Sequence, residues 1–166
     1  DVCAAYNARG QKWPTGLEKE IRANLAKLER ACGKKLGAAK NPLLVSVRSG
    51  AARSMPGMME TILNLGMNDQ SVEGLAAASK NRRFALDAYR RLIMMYGSTA
   101  KGMGREPFEH AFDELKRSQT APRLGHGHGV KVQDTDVNEM ELAQLVDRFK
   151  EIYREHCKEE FPQDPF

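Results

Sequence analysis

The spacing of apolar residues changes along the chain, and each change marks an element. Leu17, Ile21, Leu25, Leu28 and Cys32 recur every three or four positions, the period of one helix face. Thr15-Gly-Leu-Glu18 just before them has the spacing of a capping box, in which Thr accepts from a backbone N–H and Glu reaches back. The pattern predicts an amphipathic core helix, ended by Gly33 and Gly37. Residues 1–9 read as the end of a helix begun earlier, stopped at Gly10. Asn41-Pro42 breaks the chain, and the run Leu43 to Val47 predicts a buried strand. A small-residue loop covers Ser49 to Gly57, and Thr61 to Leu65 predicts a second strand.

Beyond Asn68-Asp69 the period becomes helical throughout. Asp69 or Ser71 caps a short helix running to about Ala78. Asn81 caps the next, with Phe84, Ala88, Leu92 and Met95 on one face, ending near Gly97. Pro107 suits a first helical turn, and Phe108, Phe112 and Leu115 follow at helical spacing. Ser118 to Asp136 is polar and glycine-rich and reads as a loop. Val137 to Lys158 predicts a long helix, with Met140, Leu142, Leu145, Val146, Phe149, Ile152 and Tyr153 facing inward. Phe161 to Phe166 reads as extended. The fold class is α+β and mostly helical. Two strands do not make a self-sufficient sheet, so they lie on the helices alone or are joined by strands from elsewhere.

Composition narrows the function classes. The 166 residues suit one domain, and the 41% hydrophobic and 29% charged fractions are ordinary for a globular chain. Lys and Arg exceed Asp and Glu only enough for a net charge of +4, and they are interspersed with acids rather than gathered. That excludes a concentrated nucleic-acid footprint. No apolar run reaches the length of a membrane span. Cys3, Cys32 and Cys157 have no metal or disulfide spacing and read as free thiols of a reducing compartment, the cytoplasm or a eukaryotic organelle. The start at Asp1, with no leader pattern, reads as a trimmed or excised piece.

The candidate chemistry sits where the first strand ends in Arg48-Ser49-Gly50. An Arg on a rigid element can fork onto two phosphate oxygens at a fixed place. The small residues Gly50, Ala51, Ala52 and Gly57 leave backbone N–H groups bare enough to approach further oxygens. The competing reading is a structural Arg before a tight turn. Neither GxxxxGK[ST] nor GxGxxG is present.

The stretch "NPLLVSVRSGAARSMPGMMETILNLGMND" (Asn41 to Asp69) resembles the N-terminal nucleotide-binding domain of the pyruvate, phosphate dikinase family, with Glu60 where Asp is usual and Met67 where Leu is usual. The resemblance continues through "GKKLG" (Gly33 to Gly37), "RFALDAYRRLIMMYG" (Arg83 to Gly97), "DTDVNEMELAQLVDRFKEIY" (Asp134 to Tyr153) and "FPQDP" (Phe161 to Pro165), and is weakest from Lys116 to Lys131. It implies a partial ATP-grasp domain with a short strand pair and a helical insertion. Residues 1–68 would belong to the first ATP-grasp subdomain, 69–157 to the insertion and 158–166 to a linker. It implies that Arg48 contacts ATP phosphates and assists phosphoryl transfer, and that Ser49, Gly50, Ser54, Met55, Pro56 and Gly57 form the loop over them. The implied substrate is ATP, with Mg2+ whose ligands lie outside this chain. The implied partners are the phosphohistidine and pyruvate-binding domains of a homo-oligomeric enzyme, with no nucleic acid or membrane. That enzyme interconverts ATP, phosphate and pyruvate with AMP, diphosphate and phosphoenolpyruvate; this chain alone would not turn over.

Two alternatives stay open from the residues: a relative of phosphoenolpyruvate synthase or glucan dikinase, and a non-catalytic helical interaction module. His126 and His128 in the Gly125 to Gly129 loop lack a third ligand nearby and read as loop. His110 and His156 read as solvated, and Glu60 as a structural hydrogen-bonding group. Met55, Met58, Met59, Met94 and Met95 read as packing. Arg82-Arg83 and Arg90-Arg91 read as a solvated, ion-paired helix face.

Overall fold

The computed structural model describes residues 2–48, 60–123 and 132–166. The chain divides into two compact units, Asp1–Lys35 and Leu36–Phe166. In the first, α1 (Val2–Ala8) is followed by α2 (Leu17–Cys32). The expected capping box is absent. Gly16, in the left-handed region at φ 88°, occupies the N-cap, and no side chain caps the helix. Thr15 Oγ1 instead accepts from Arg9 Nη1 at 3.0 Å, and Glu18 pairs with Arg22 at 2.8 Å. Gly33 ends α2 at φ 63°, as expected. The core role expected of α2 is also corrected, since neither helix of this unit has a buried residue.

The second unit pairs β1 (Val45–Arg48) with β2 (Thr61–Leu65), antiparallel. The first strand starts two residues later than the run Leu43 to Val47 suggests. Leu43 is buried and bridges to Leu36 instead. The second strand has the expected bounds. Val45 pairs with Leu65, but Val47 pairs with Ile62, so Leu63 and Asn64 together oppose Ser46. This bulge puts Asn64 at φ 61°. It also lets Ile62 and Leu65, three residues apart, both pack on the helical core, which strict alternation forbids.

Gly66 follows at φ +105°, where a Cβ would lie 2.5 Å from the Leu43 carbonyl oxygen and 2.7 Å from Leu36 Cδ1. Gly66→Ala is therefore expected to destabilise the chain by about 2 kcal/mol or more in equilibrium denaturation. A loss below about 0.5 kcal/mol would mean that the backbone yields there at little cost.

The helices are α3 (Asp69–Ser79), α4 (Arg82–Met95), α5 (Glu106–Arg123) and α6 (Glu139–Cys157). The cap of α3 is Asn68, one residue before the expected Asp69, with Ser71 completing the box; Asn81 caps α4 as expected. A π-helical turn, Tyr96–Ala100, extends α4. Part of the expected Ser118 to Asp136 loop is helical: α5 runs on to Arg123, and Asp134–Asp136 forms a 3-10 turn. The buried face of α4 is Ala85, Leu86, Ala88, Tyr89, Leu92 and Ile93, while Phe84 is 50% exposed and Met95 half-buried. On α6 the expected inward residues are buried except Met140, which is 70% exposed. Both exceptions lie in a first helical turn, where an apolar residue can keep the period without reaching a neighbour.

Phe108 and Phe149 meet edge to face at 5.0 Å between α5 and α6. Phe161 sits among Tyr89, Tyr96 and Tyr153, at 6.1, 5.8 and 5.4 Å. Burial pushes the Tyr89 and Tyr153 hydroxyls well above the usual phenol range; they donate to Asp69 and Glu159, each at 2.8 Å. The segment after α6 is held by Gln163, whose Oε1 accepts from Asp69 N at 2.9 Å and whose backbone oxygen accepts from Asn68 Nδ2 at 3.0 Å.

At the surface, Arg82 joins α3, α4 and α6 by pairing with Glu73 at 2.9 Å and Glu139 at 3.0 Å. The hydrogen bond from Arg82 lowers the Glu73 pKa, against a smaller opposing effect of burial. A carboxylate with a depressed folded pKa contributes stability above its unfolded value and loses it as pH falls through the folded one. Stability is expected to fall as pH drops below about 4, with a shallower fall in Glu73→Gln. Identical pH profiles in denaturant titrations would count against the pair.

Candidate functional site

Arg48 and Thr61 form the last register pair of the β1–β2 ladder, at the mouth from which residues 49–60 connect the strands. The base of this hairpin is fixed from the helical side. Ile62 and Leu65 pack on the core, and Asn64 Nδ2 donates to the Ala88 carbonyl of α4 at 3.2 Å. Asn68 then accepts from Gln70 N and Ser71 N at 3.1 and 2.8 Å, so the exit of β2 runs straight into a capped helix. The signal for these positioning residues was the "NLGMND" sequence itself, since Asn and Gly inside a strand pattern mark a bulge or a close backbone approach.

Arg48 stands at a strand end, as expected, but the strand is not buried. Val45 is half-buried, and Ser46, Val47 and Arg48 are exposed. The reason is topological: among the described residues β1 pairs only with β2, and no described strand lies on its other edge. Among the described residues no carboxylate forms an ion pair with Arg48, an exposed cation at the loop's mouth. The other expected site residues, Ser49, Gly50, Ser54, Met55, Pro56 and Gly57, lie outside the described residues, as do Met58, Met59, His126 and His128.

The remaining candidates are placed as follows. His110, 66% exposed, is solvated, and Glu60 is exposed. Arg82 and Arg91 are surface ion pairs as expected, and Arg83 donates to backbone oxygens of Val137 and Asp134. Arg90 departs from expectation. It is only 4% exposed, paired with Asp87 at 2.7 Å and stacked 4.3 Å from the Phe112 ring centroid. Burial pulls its pKa down, and Asp87 opposes that pull. Sequence spacing missed this because adjacent arginines point about 100° apart around a helix, and one of the pair then meets α5.

A cleft of about 220 Å³ lies beside Arg90, and another of about 180 Å³ lies at Leu65, Gly66 and Tyr96; Arg48 lines neither. Among the described residues no group of three His, Cys, Asp or Glu converges on a metal position. Among them, too, no helix is long and apolar enough to cross a membrane.

The AMP/ATP-binding domain of pyruvate phosphate dikinase, compared as a family, matches residues 8–161. The chain belongs to that family. Its similarity to individual pyruvate, phosphate dikinases is 42% identity over 164 residues for that of Rhizobium meliloti and 45% over 164 for that of Giardia intestinalis. For the chloroplastic dikinase 1 of Arabidopsis thaliana it is 44% over 165 residues. Each comparison covers 99% of this chain and 16 to 17% of the relative. The chain thus spans about one sixth of the length of the curated relatives it matches. These relatives carry the dikinase name, not that of phosphoenolpyruvate synthase or glucan dikinase. The dikinase-family match runs from the end of α1 to Phe161 and so includes both strands, the bulge and Arg48.

Proposed function

We propose that this chain is part of the ATP-grasp nucleotide domain of a pyruvate, phosphate dikinase and carries one wall of its ATP site. The whole enzyme interconverts ATP, phosphate and pyruvate with AMP, diphosphate and phosphoenolpyruvate, through a phosphohistidine on another domain. It works as a homo-oligomer in the cytoplasm or in an organelle. Residues 1–68 belong to the first ATP-grasp subdomain, 69–157 to a helical insertion and 158–166 to a linker.

The observation that supports the site is the exposed Arg48 at the mouth of an anchored hairpin, with no acid paired to it among the described residues. Its role is to grip the nucleotide's phosphate oxygens with a forked, permanently charged group. Ser49, Gly50, Ser54, Met55, Pro56 and Gly57 are assigned by the family resemblance to the loop that binds the same phosphates. Phosphoryl transfer asks the protein mainly for positioning and charge neutralisation, which a fixed cation and oriented N–H groups provide. As the family resemblance implies, Mg2+ would be held by polypeptide outside this chain and would supply charge neutralisation on the phosphates; no step here runs through it.

The test is single-turnover transfer from ATP to the carrier histidine in the full-length protein bearing Arg48→Ala. Loss of transfer with folding intact is expected; normal transfer would overturn the assignment.

A further inference from the structure

The bulge in β2 decides which face of the strand pair carries Arg48. Partners across an antiparallel ladder share a face, and successive residues along a strand alternate. Counting without interruption from the Val45–Leu65 pair would set Val47 against Leu63 and Arg48 against Ile62. Arg48 would then share the face of Ile62, which packs on the helical core. The observed register is one residue off that count: Val47 pairs with Ile62 and Arg48 with Thr61. Arg48 therefore lies on the other face from Ile62, and it is exposed.

Asn64 sits in the bulge at φ 61°, a left-handed conformation that Asn adopts more readily than most residues with a side chain. From there its Nδ2 donates to the Ala88 carbonyl oxygen at 3.2 Å, inside α4, where a helical carbonyl keeps a second lone pair to accept with. The backbone oxygen of Asn64 accepts from Met67 N at 3.2 Å, closing the turn that contains Gly66. Asn64 is half-buried and Ala88 buried, so this bond lies between the strand pair and the helical block. We propose that Asn64 is a positioning residue for Arg48: its bond to α4 pins the bulge, and the pinned bulge keeps Arg48 on the outward face. The helical block thereby helps to set the geometry around Arg48. This rests on the reading that Arg48 grips phosphate oxygens.

The test is a double-mutant cycle in the full-length protein, read as single-turnover transfer at saturating ATP per folded molecule. Asn64→Gly accepts the same φ and removes the side-chain bond. Asn64→Asp keeps the shape but turns an acceptor toward the Ala88 oxygen, and it carries the test should the glycine variant fail to fold. Either is expected to slow transfer about 10-fold, since a misplacement of about 1 Å is already felt in the rate. In an Arg48→Ala background the same substitution is expected to cost less than about twofold more, because the side chain it positions is already gone. Transfer unchanged by both variants would overturn the proposal and leave Asn64 a residue of stability alone. So would an equal loss in both backgrounds, which would show Asn64 acting independently of Arg48. Normal transfer by Arg48→Ala alone would overturn the site assignment itself, whereas a large loss there with none at Asn64 would overturn only this proposal.

Discussion

Arg48→Ala is expected to reduce ATP-dependent phosphorylation of the carrier histidine in the full-length protein by about 1,000-fold or more. The same variant should leave the unfolding midpoint nearly unchanged. The size follows from the task. A guanidinium that neutralises charge on a transferring phosphoryl group contributes on the order of 4 kcal/mol to the barrier, and each 1.4 kcal/mol is about tenfold in rate. The neutral stability follows from placement: Arg48 is exposed at a strand end, so its removal strands no buried partner among the described residues. Surface substitutions of that kind usually stay within about 0.5 kcal/mol. Arg48→Lys keeps the charge but loses the two-pronged grip, and should recover only part of the activity. A fall of several degrees in the midpoint of the alanine variant, with transfer intact, would make Arg48 a structural residue.

The largest stability effect is expected at the centre of the helical block. Phe149 is 1% exposed and meets Phe108, itself fully buried, edge to face at 5.0 Å. Phe149→Ala removes a ring that joins α5 to α6 and leaves a cavity that the surrounding side chains fill only in part. Such truncations cost about 3–5 kcal/mol, a large fraction of the roughly 5–15 kcal/mol that holds a domain folded. The unfolding midpoint should drop by about 10 °C or more. Phe84→Ala and Met140→Ala remove side chains of comparable size that are 50% and 70% exposed, and should cost about 0.5 kcal/mol or less. If all three variants melted alike, the burial pattern of α4 and α6 would be wrong.

These contrasts mark how far the sequence could be read. Periodicity placed β2, α4 and α6 closely because each has one side against the same core, and repeated burial writes a clear pattern. It could not say what covers a stripe, and so the seam of α2 looked like core when the helix has no buried residue. Nor could it separate Asn68 from Asp69 as the cap of α3, since both are good acceptors and only backbone geometry decides. Arg90 was hidden for a related reason: its charge suggested solvent, while its partners Asp87 and Phe112 come from its own helix and from α5. For the site, chemistry placed Arg48 on a strand end. The bulge at Asn64, which lets that strand pair sit on the helices, was visible only as an odd Asn-Leu-Gly in an apolar run.

The division of the chain into two units also separates its chromophores. The sole tryptophan, Trp13, lies in residues 1–35, while Tyr89, Tyr96 and Tyr153 surround Phe161 in residues 36–166. Indole fluorescence therefore reports on the first unit, and near-ultraviolet dichroism of the tyrosines reports mainly on the second. Melting curves from the two signals would coincide if the units unfold together and part if they do not. One unlabelled sample of the 166-residue chain can thus show whether the two units melt in one transition or two.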